Sequence, residues 1–181
     1  MSNRGFTLIE LVIAVTVIII LAGSALAGVG PVMRSLRVGN TFNKMVFMVQ
    51  QARSAAATSR GESDYYGVKF EINVVPSVIH RFEEKIGDPQ QTPVENFAIL
   101  ASANSKIIVN NKQTGLPCGL TSATIKFEKK TAIPHFYCDE DEVDNNSVLM
   151  EFLLKEDVQV NAKIKGFIIH KQAGIPQIQQ Y

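Results

Sequence analysis

GFTLIELVIAVTVIIILAGSALAGVG, residues 5–30, decides how this chain is read. From Phe6 to Gly30 its twenty-five positions hold one formal charge, Glu10, and almost nothing else polar. As a single helix the stretch is about 37 Å long, against a bilayer hydrocarbon core of roughly 30 Å. It can span a membrane with some tilt. A short leader, Met1-Ser-Asn-Arg4-Gly5, precedes it, and Arg34, Arg37 and Lys44 follow. Bases on both sides leave the positive-inside rule undecided. The leader is too short to be a domain and the remainder is long enough to be one.

The rival reading is an ordinary secretory signal, because Ala25-Leu26-Ala27 has the small-x-small pattern of a cleavage site and would release a chain starting at Gly28. Against it, the apolar run up to Ala27 exceeds the roughly 7–15 residues of a usual signal core. Glu10 also sits early inside the run, and the helical pattern continues past the supposed cut. Glu10 is the informative residue, since a carboxylate in a membrane helix is disfavoured and such residues usually have a partner. Either it snorkels or is protonated, or it pairs with a cation from elsewhere. An α-amino group newly exposed at Phe6, with an ordinary pKa of about 7.7–8.0, would be such a cation. A neighbouring copy could supply it.

Gly5-Phe-Thr-Leu-Ile-Glu10 and the apolar run after it resemble the class III leader and helix start of type IV pilins and type II secretion pseudopilins. The resemblance implies that a prepilin peptidase cuts between Gly5 and Phe6 on the cytoplasmic side and that Phe6 is then N-methylated. It makes Glu10 the glutamate that pairs with the terminal amine of an adjacent subunit. It places the chain in the bacterial inner membrane, single-pass, with its C-terminal domain periplasmic. The partners implied are other pilin or pseudopilin subunits, the prepilin peptidase and the inner-membrane assembly platform. In a filament an unpaired carboxylate among apolar helices is costly, so the pair would fix register more than add stability. Ala22, Gly23, Ser24, Ala25, Ala27 and Gly28 form a small-residue patch that either permits close helix approach or simply ends the span.

Gly28, Gly30 and Pro31 should weaken or kink the helix. Beyond them Val38, Phe42, Met45, Val46, Val49, Ala52 and Ala56 recur at steps of three and four, an amphipathic helix with Gly61 as its expected stop. After Gly61 the pattern turns to short β-type runs: 65–75, 78–82, 97–101, 106–109, 123–128, 148–154, 158–169 and 175–179, with Gly87-Asp-Pro89 to Pro93 as a loop. The expected fold is α+β, a long hydrophobic pilin-like helix packed on a mostly antiparallel β-sandwich. The expected organisation is a leader over 1–5, a transmembrane or filament-core helix over 6–30, an amphipathic helix over 31–60 and a periplasmic β-domain over 61–181. Gln51-Ala-Arg53-Ser54-Ala-Ala56 and the strand after it are similar to the helix end of H-type minor pseudopilins and the FimT-like family. That family often has an acid after the Arg-Ser pair, where this chain has Ala55.

Composition agrees with one folded domain plus an appended element. The chain has 181 residues, 46% of them apolar and 19% charged, with net charge +1, which excludes large multidomain, disordered and collagen-like classes. Residues 1–60 hold six bases and one acid, whereas residues 61–181 hold twelve bases and sixteen acids. The two parts meet different surroundings.

Cys118 and Cys138 are the only cysteines, and in an oxidising compartment they form a candidate disulfide, two free thiols being the alternative. Asp139, Asp141 and Asp144 in the run Asp139-Glu-Asp-Glu-Val-Asp144-Asn-Asn146 are oxygen ligands of the kind calcium uses. Val143 and the lack of a loop glycine break the EF-hand pattern, so the run reads foremost as a solvated acidic loop and no metal is expected. His80, His135 and His170 are scattered, with no HExxH, no dinucleotide fingerprint and no GxSxG elbow anywhere, so neither catalysis nor a cofactor is expected. Lys163 and Lys165 share a strand face, and Lys126, Lys129 and Lys130 are the other bases a nucleic acid would need. The acidic balance of the β-domain and its arginine-free C-terminal tail argue against DNA.

The expectation is therefore a minor pseudopilin of a type II secretion system, a structural subunit of a short periplasmic filament that supports protein export. The resemblance adds that Glu10 implies a subunit above it, since the tipmost pseudopilin typically lacks this acid. The alternatives are a FimT-like minor pilin acting in pilus assembly or DNA uptake, and a cleaved, secreted binding domain.

Overall fold

The computed structural model describes residues 7–72, 77–98, 105–111, 117–118, 121–143, 149–156, 164–170 and 173–180. It divides into two units, Met1–Leu36 and Arg37–Tyr181. Helical backbone runs from Leu8 to Thr58 as α1, so Gly28, Gly30 and Pro31 do not end it. A proline inside a helix costs about 3 kcal/mol or more. Long helical stretches already nucleated on either side can carry that cost.

In the first unit every described side chain of α1 is exposed, from Leu8 at 81% to Leu36 at 55%. In the second unit α1 becomes the core-facing element. Val38, Phe42, Met45, Val46, Val49, Ala52 and Ala56 are buried as their spacing predicts, and Met48 joins them. The helix ends at Thr58 and not at Gly61. The Ser59 amide donates to the Ala55 carbonyl at 2.8 Å and the Lys130 amide donates to the Ala56 carbonyl at 2.8 Å. A turn from elsewhere in the fold thus satisfies carbonyls that a C-terminal glycine often would.

Among the described residues ten strands follow: β1 (Tyr65–Glu71), β2 (Val78–Lys85), β3 (Asp88–Ala98), β4 (Ser105–Asn111), β5 (Ser122–Glu128), β6 (Pro134–Cys138), β7 (Asp141–Glu142), β8 (Leu149–Glu156), β9 (Ile164–His170) and β10 (Pro176–Gln180). They form a six-stranded sheet ordered β3-β2-β1-β5-β6-β7 and a four-stranded sheet ordered β10-β9-β8-β4. Every pairing is antiparallel. The fold is α+β.

One core joins the helix to both sheets. Its spine is four phenylalanine rings. Phe42 of α1 meets Phe167 of β9 at 6.1 Å between centroids, Phe167 stacks on Phe152 of β8 at 5.0 Å, and Phe152 meets Phe70 of β1 at 4.9 Å. Strand alternation supplies this, with Tyr66, Val68 and Phe70 inward from β1 and Ile125 and Phe127 inward from β5. On the opposite face of the same sheet, Phe82 lies across Gly67, its register partner, and is itself buried.

Two readings of the β-region differ from what is observed. Of the stretch read as a loop over 87–93, Gly87 is a turn residue but the rest belongs to β3, whose Pro89 and Pro93 are tolerated because β3 is an edge strand with two register shifts. Strands β6 and β7 were not expected; Pro134 opens β6, and β7 is a two-residue acidic strand that composition assigns to solvent.

Candidate assembly site

The residues with chemical potential lie at the start of α1. Thr7 and Glu10 hold each other reciprocally: the Thr7 amide and hydroxyl donate to Glu10 Oε2 at 2.9 and 2.8 Å, and the Glu10 amide donates to Thr7 Oγ1 at 3.4 Å. This is a capping box, in which Thr-x-x-Glu satisfies helix donors that have no partner within the helix. The Thr7-x-x-Glu10 spacing carries that signal in the sequence itself. Both described bonds converge on Oε2, leaving Oε1 able to accept from a further group. Gly5 and Phe6 lie outside the described residues, so the processing site itself is not placed.

Beyond the cap the helix presents Leu8, Ile9, Leu11, Val12, Ile13, Val15, Val17, Ile18, Ile19, Ile20 and Leu21, all exposed. Thr16 hides its hydroxyl by donating to the Val12 carbonyl at 2.7 Å, so this polar residue does not interrupt the apolar surface. Folded monomers seldom leave so continuous an apolar surface in water; such a surface calls for a cover of lipid or protein. Among the described residues no helix is long and apolar enough to cross a membrane. The side chains described without a gap run only to Gly23, about 24 Å of helix axis from Leu8, whereas the apolar sequence continues to Gly30.

The remaining candidates lie in the β-domain. Cys118 and Cys138 form a disulfide with Cα atoms 5.1 Å apart. It joins the end of β6 in the six-stranded sheet to the segment that lies along β4 in the four-stranded one, where Asn110 bridges Pro117. Of the calcium candidates, Asp139 is structural: its Oδ1 accepts from the Thr121 amide at 2.9 Å, the Thr121 hydroxyl at 2.7 Å and the Ser122 amide at 2.9 Å. Asp141 is exposed on β7 and Asp144 lies outside the described residues. Among the described residues no group of three His, Cys, Asp or Glu could hold a metal.

Two of the histidines, His80 and His135, serve pairing on strands. His80 contacts Glu71 at 3.0 Å and Asn96 at 2.9 Å, and His135 contacts Glu142 at 2.8 Å. Three of the lysines considered for nucleic acid contact other parts of the fold. Lys126 pairs with Glu84 at 2.8 Å and sits over Tyr137, Lys129 donates to the Gly61 carbonyl, and Lys165 reaches back over Phe42 of the helix. Lys163 lies outside the described residues. Burial pushes the Tyr137 phenol up to about 12, with the Glu142 carboxylate acting in the same direction.

The first 26 residues match the family described as the prokaryotic N-terminal methylation motif. The match covers Gly5, Phe6, Thr7 and Glu10, and it supports a type IV pilin-like protein. Such a motif implies processing by a prepilin peptidase and assembly with other pilin-like subunits. No curated protein and no solved structure is significantly similar to the chain.

Proposed function

We propose that this chain is a minor pseudopilin of a type II secretion system: a non-catalytic subunit, held in the inner membrane by residues 6–30 and then drawn into a short periplasmic filament. One observation carries the reading. The chain bears a methylation motif at the head of a helix whose apolar side chains are exposed from Leu8 to Leu21, with a single carboxylate at its start. Lipid covers that surface first, and neighbouring helices cover it after assembly. The H-type assignment rests on the resemblance over Gln51–Ala56.

The capping box refines the role of Glu10. Thr7 partly satisfies the carboxylate before any partner arrives, which lowers the cost of placing it in lipid. After cleavage the Phe6 amine of an adjacent subunit can approach the oxygen that Thr7 does not occupy. An apolar surface tolerates many axial offsets, and this one charge pair selects among them.

Mass spectrometry of the mature protein tests the processing: a methylated N-terminal Phe6 is expected, and a mature chain starting at Gly28 would overturn the reading. Deletion in the native host tests the system served. Loss of protein export with surface pili and DNA uptake intact is expected; loss of DNA uptake with export intact would assign the chain to the pilus instead.

A further inference from the structure

The two sheets have four edges, and among the described residues three are guarded. β3 carries Pro89, Pro93 and two register shifts. β7 is two acidic residues long. The rim of β4 is covered by the segment that holds Cys118, whose amide donates to the Val109 carbonyl at 2.7 Å and which the disulfide ties down. These are the devices by which folded proteins keep sheet edges from pairing with other chains.

Among the described residues β10 has none of them after its first residue. It pairs with β9 alone. Residues 173–180 contain no charge, and Ile175 and Ile178 are 48% and 61% exposed. Pro176 is the first residue of the strand, the position where a missing amide harms a ladder least.

We propose that this edge pairs with the β10 edge of a second copy of the chain. The strand is complementary to itself. Antiparallel pairing centred on Ile178 sets that side chain against the second copy's Ile178 on one face. On the other face it sets Gln177 against Gln179, two uncharged amides able to hydrogen-bond. A single charge at these positions would meet its own copy or a near neighbour, and none is present. The result is one continuous sheet running through both copies. Five paired residues make a contact smaller than the roughly 1,200 Å² of the smallest stable complexes, so the pairing forms at high local concentration. It does not depend on what covers the apolar helix.

The chain itself supplies a clean test. Its only two cysteines are joined to each other, so a cysteine placed on β10 is the only free thiol in a full-length chain kept in detergent micelles. Directly opposed residues have Cα atoms about 4.5–5.5 Å apart, within the span of a disulfide. The two Gln177 residues are offset by two positions, which separates them by about 7 Å along the strands alone. Under mild oxidation, Ile178→Cys should give about tenfold more linked dimer than Gln177→Cys. Sedimentation of the unmodified chain should show a concentration-dependent dimer that Ile178→Lys abolishes while the far-UV spectrum stays unchanged. Equal linkage at both positions, no linkage at Ile178→Cys, a monomer at every concentration, or a dimer indifferent to Ile178→Lys would each overturn the proposal.

Discussion

Phe82 packs over Gly67 on the face of the sheet opposite Tyr66, Val68 and Phe70, and the pair works only because Gly67 has no side chain. A β-carbon there would come within 2.7 Å of Phe82 Cε1 and 2.8 Å of the Ile125 carbonyl oxygen. Gly67→Ala is therefore expected to destabilise by about 1–3 kcal/mol through overpacking, and Phe82→Ala by about 3–5 kcal/mol. The double substitution should cost less than the two together, because removing the ring frees the space that the added methyl needs. Thermal unfolding of the three full-length variants checks this.

Thr7→Ala removes one half of the capping box and should cost the start of α1 about 1 kcal/mol, seen as faster amide exchange over residues 8–11. Cleavage after Gly5 should persist in this variant and in Glu10→Ala. Recovery in purified filaments should fall for Glu10→Ala far more than for Thr7→Ala. Equal recovery of both variants would mean that Glu10 matters only as a cap.

Replacing Cys118 and Cys138 together by serine opens a loop whose ends are 20 residues apart in sequence, which in the chain-entropy model costs about 3 kcal/mol. Cys118 is 3% exposed. Dithiothreitol should therefore reduce the bond slowly in the native protein and quickly once urea opens it. Alkylation followed by mass measurement separates the two rates.

The Tyr137 phenol should titrate above the ordinary tyrosine range. Burial favours the neutral phenol in the folded chain and raises its pKa from 10.0 to about 12. The stability this contributes is fully present below pH 10 and falls away as the pH rises toward 12, because the unfolded phenol ionises first. Absorbance near 295 nm should show a late component that Tyr137→Phe removes.

At the acid end, Lys44 donates to Glu95 and holds its carboxyl below the usual range, with Arg81 3.7 Å away adding to the effect. A depressed carboxylate stabilises above the ordinary value and stops doing so as the pH falls through its folded value. Glu95 is about one-third exposed, so Glu95→Gln should cost no more than about 1 kcal/mol near neutrality. The difference from the unmodified chain should vanish in acid.

The helical parts were largely legible, because seven apolar positions at steps of three and four can face one way only on a helix, and all seven are buried. Helix ends were harder to read. Gly61 looked like the stop, but Lys130, far away in sequence, closes the helix at Thr58, and no local pattern announces a cap delivered by another element. Prolines misled at β3 and β6, since a Pro reads as loop until the strand's position at an edge or a strand start is known. The acidic run hid two roles: Asp139 ties a turn to Thr121 and Ser122, and Glu142 pairs with His135. Charge density alone could not separate those from a solvated loop. The methylation motif was readable in the sequence, because Gly5, Phe6 and Glu10 lie within six successive residues and need no fold to bring them together.

Because the bond between Cys118 and Cys138 crosses from one sheet to the other, a pull applied to either is shared by both. Peeling the flap at residues 117–118 off β4 would also have to drag on β6, and through β6 on the strands paired beside it. A subunit loaded by its neighbours in an assembly would feel such tension repeatedly, and this cross-tie lets the domain yield as a single mechanical piece.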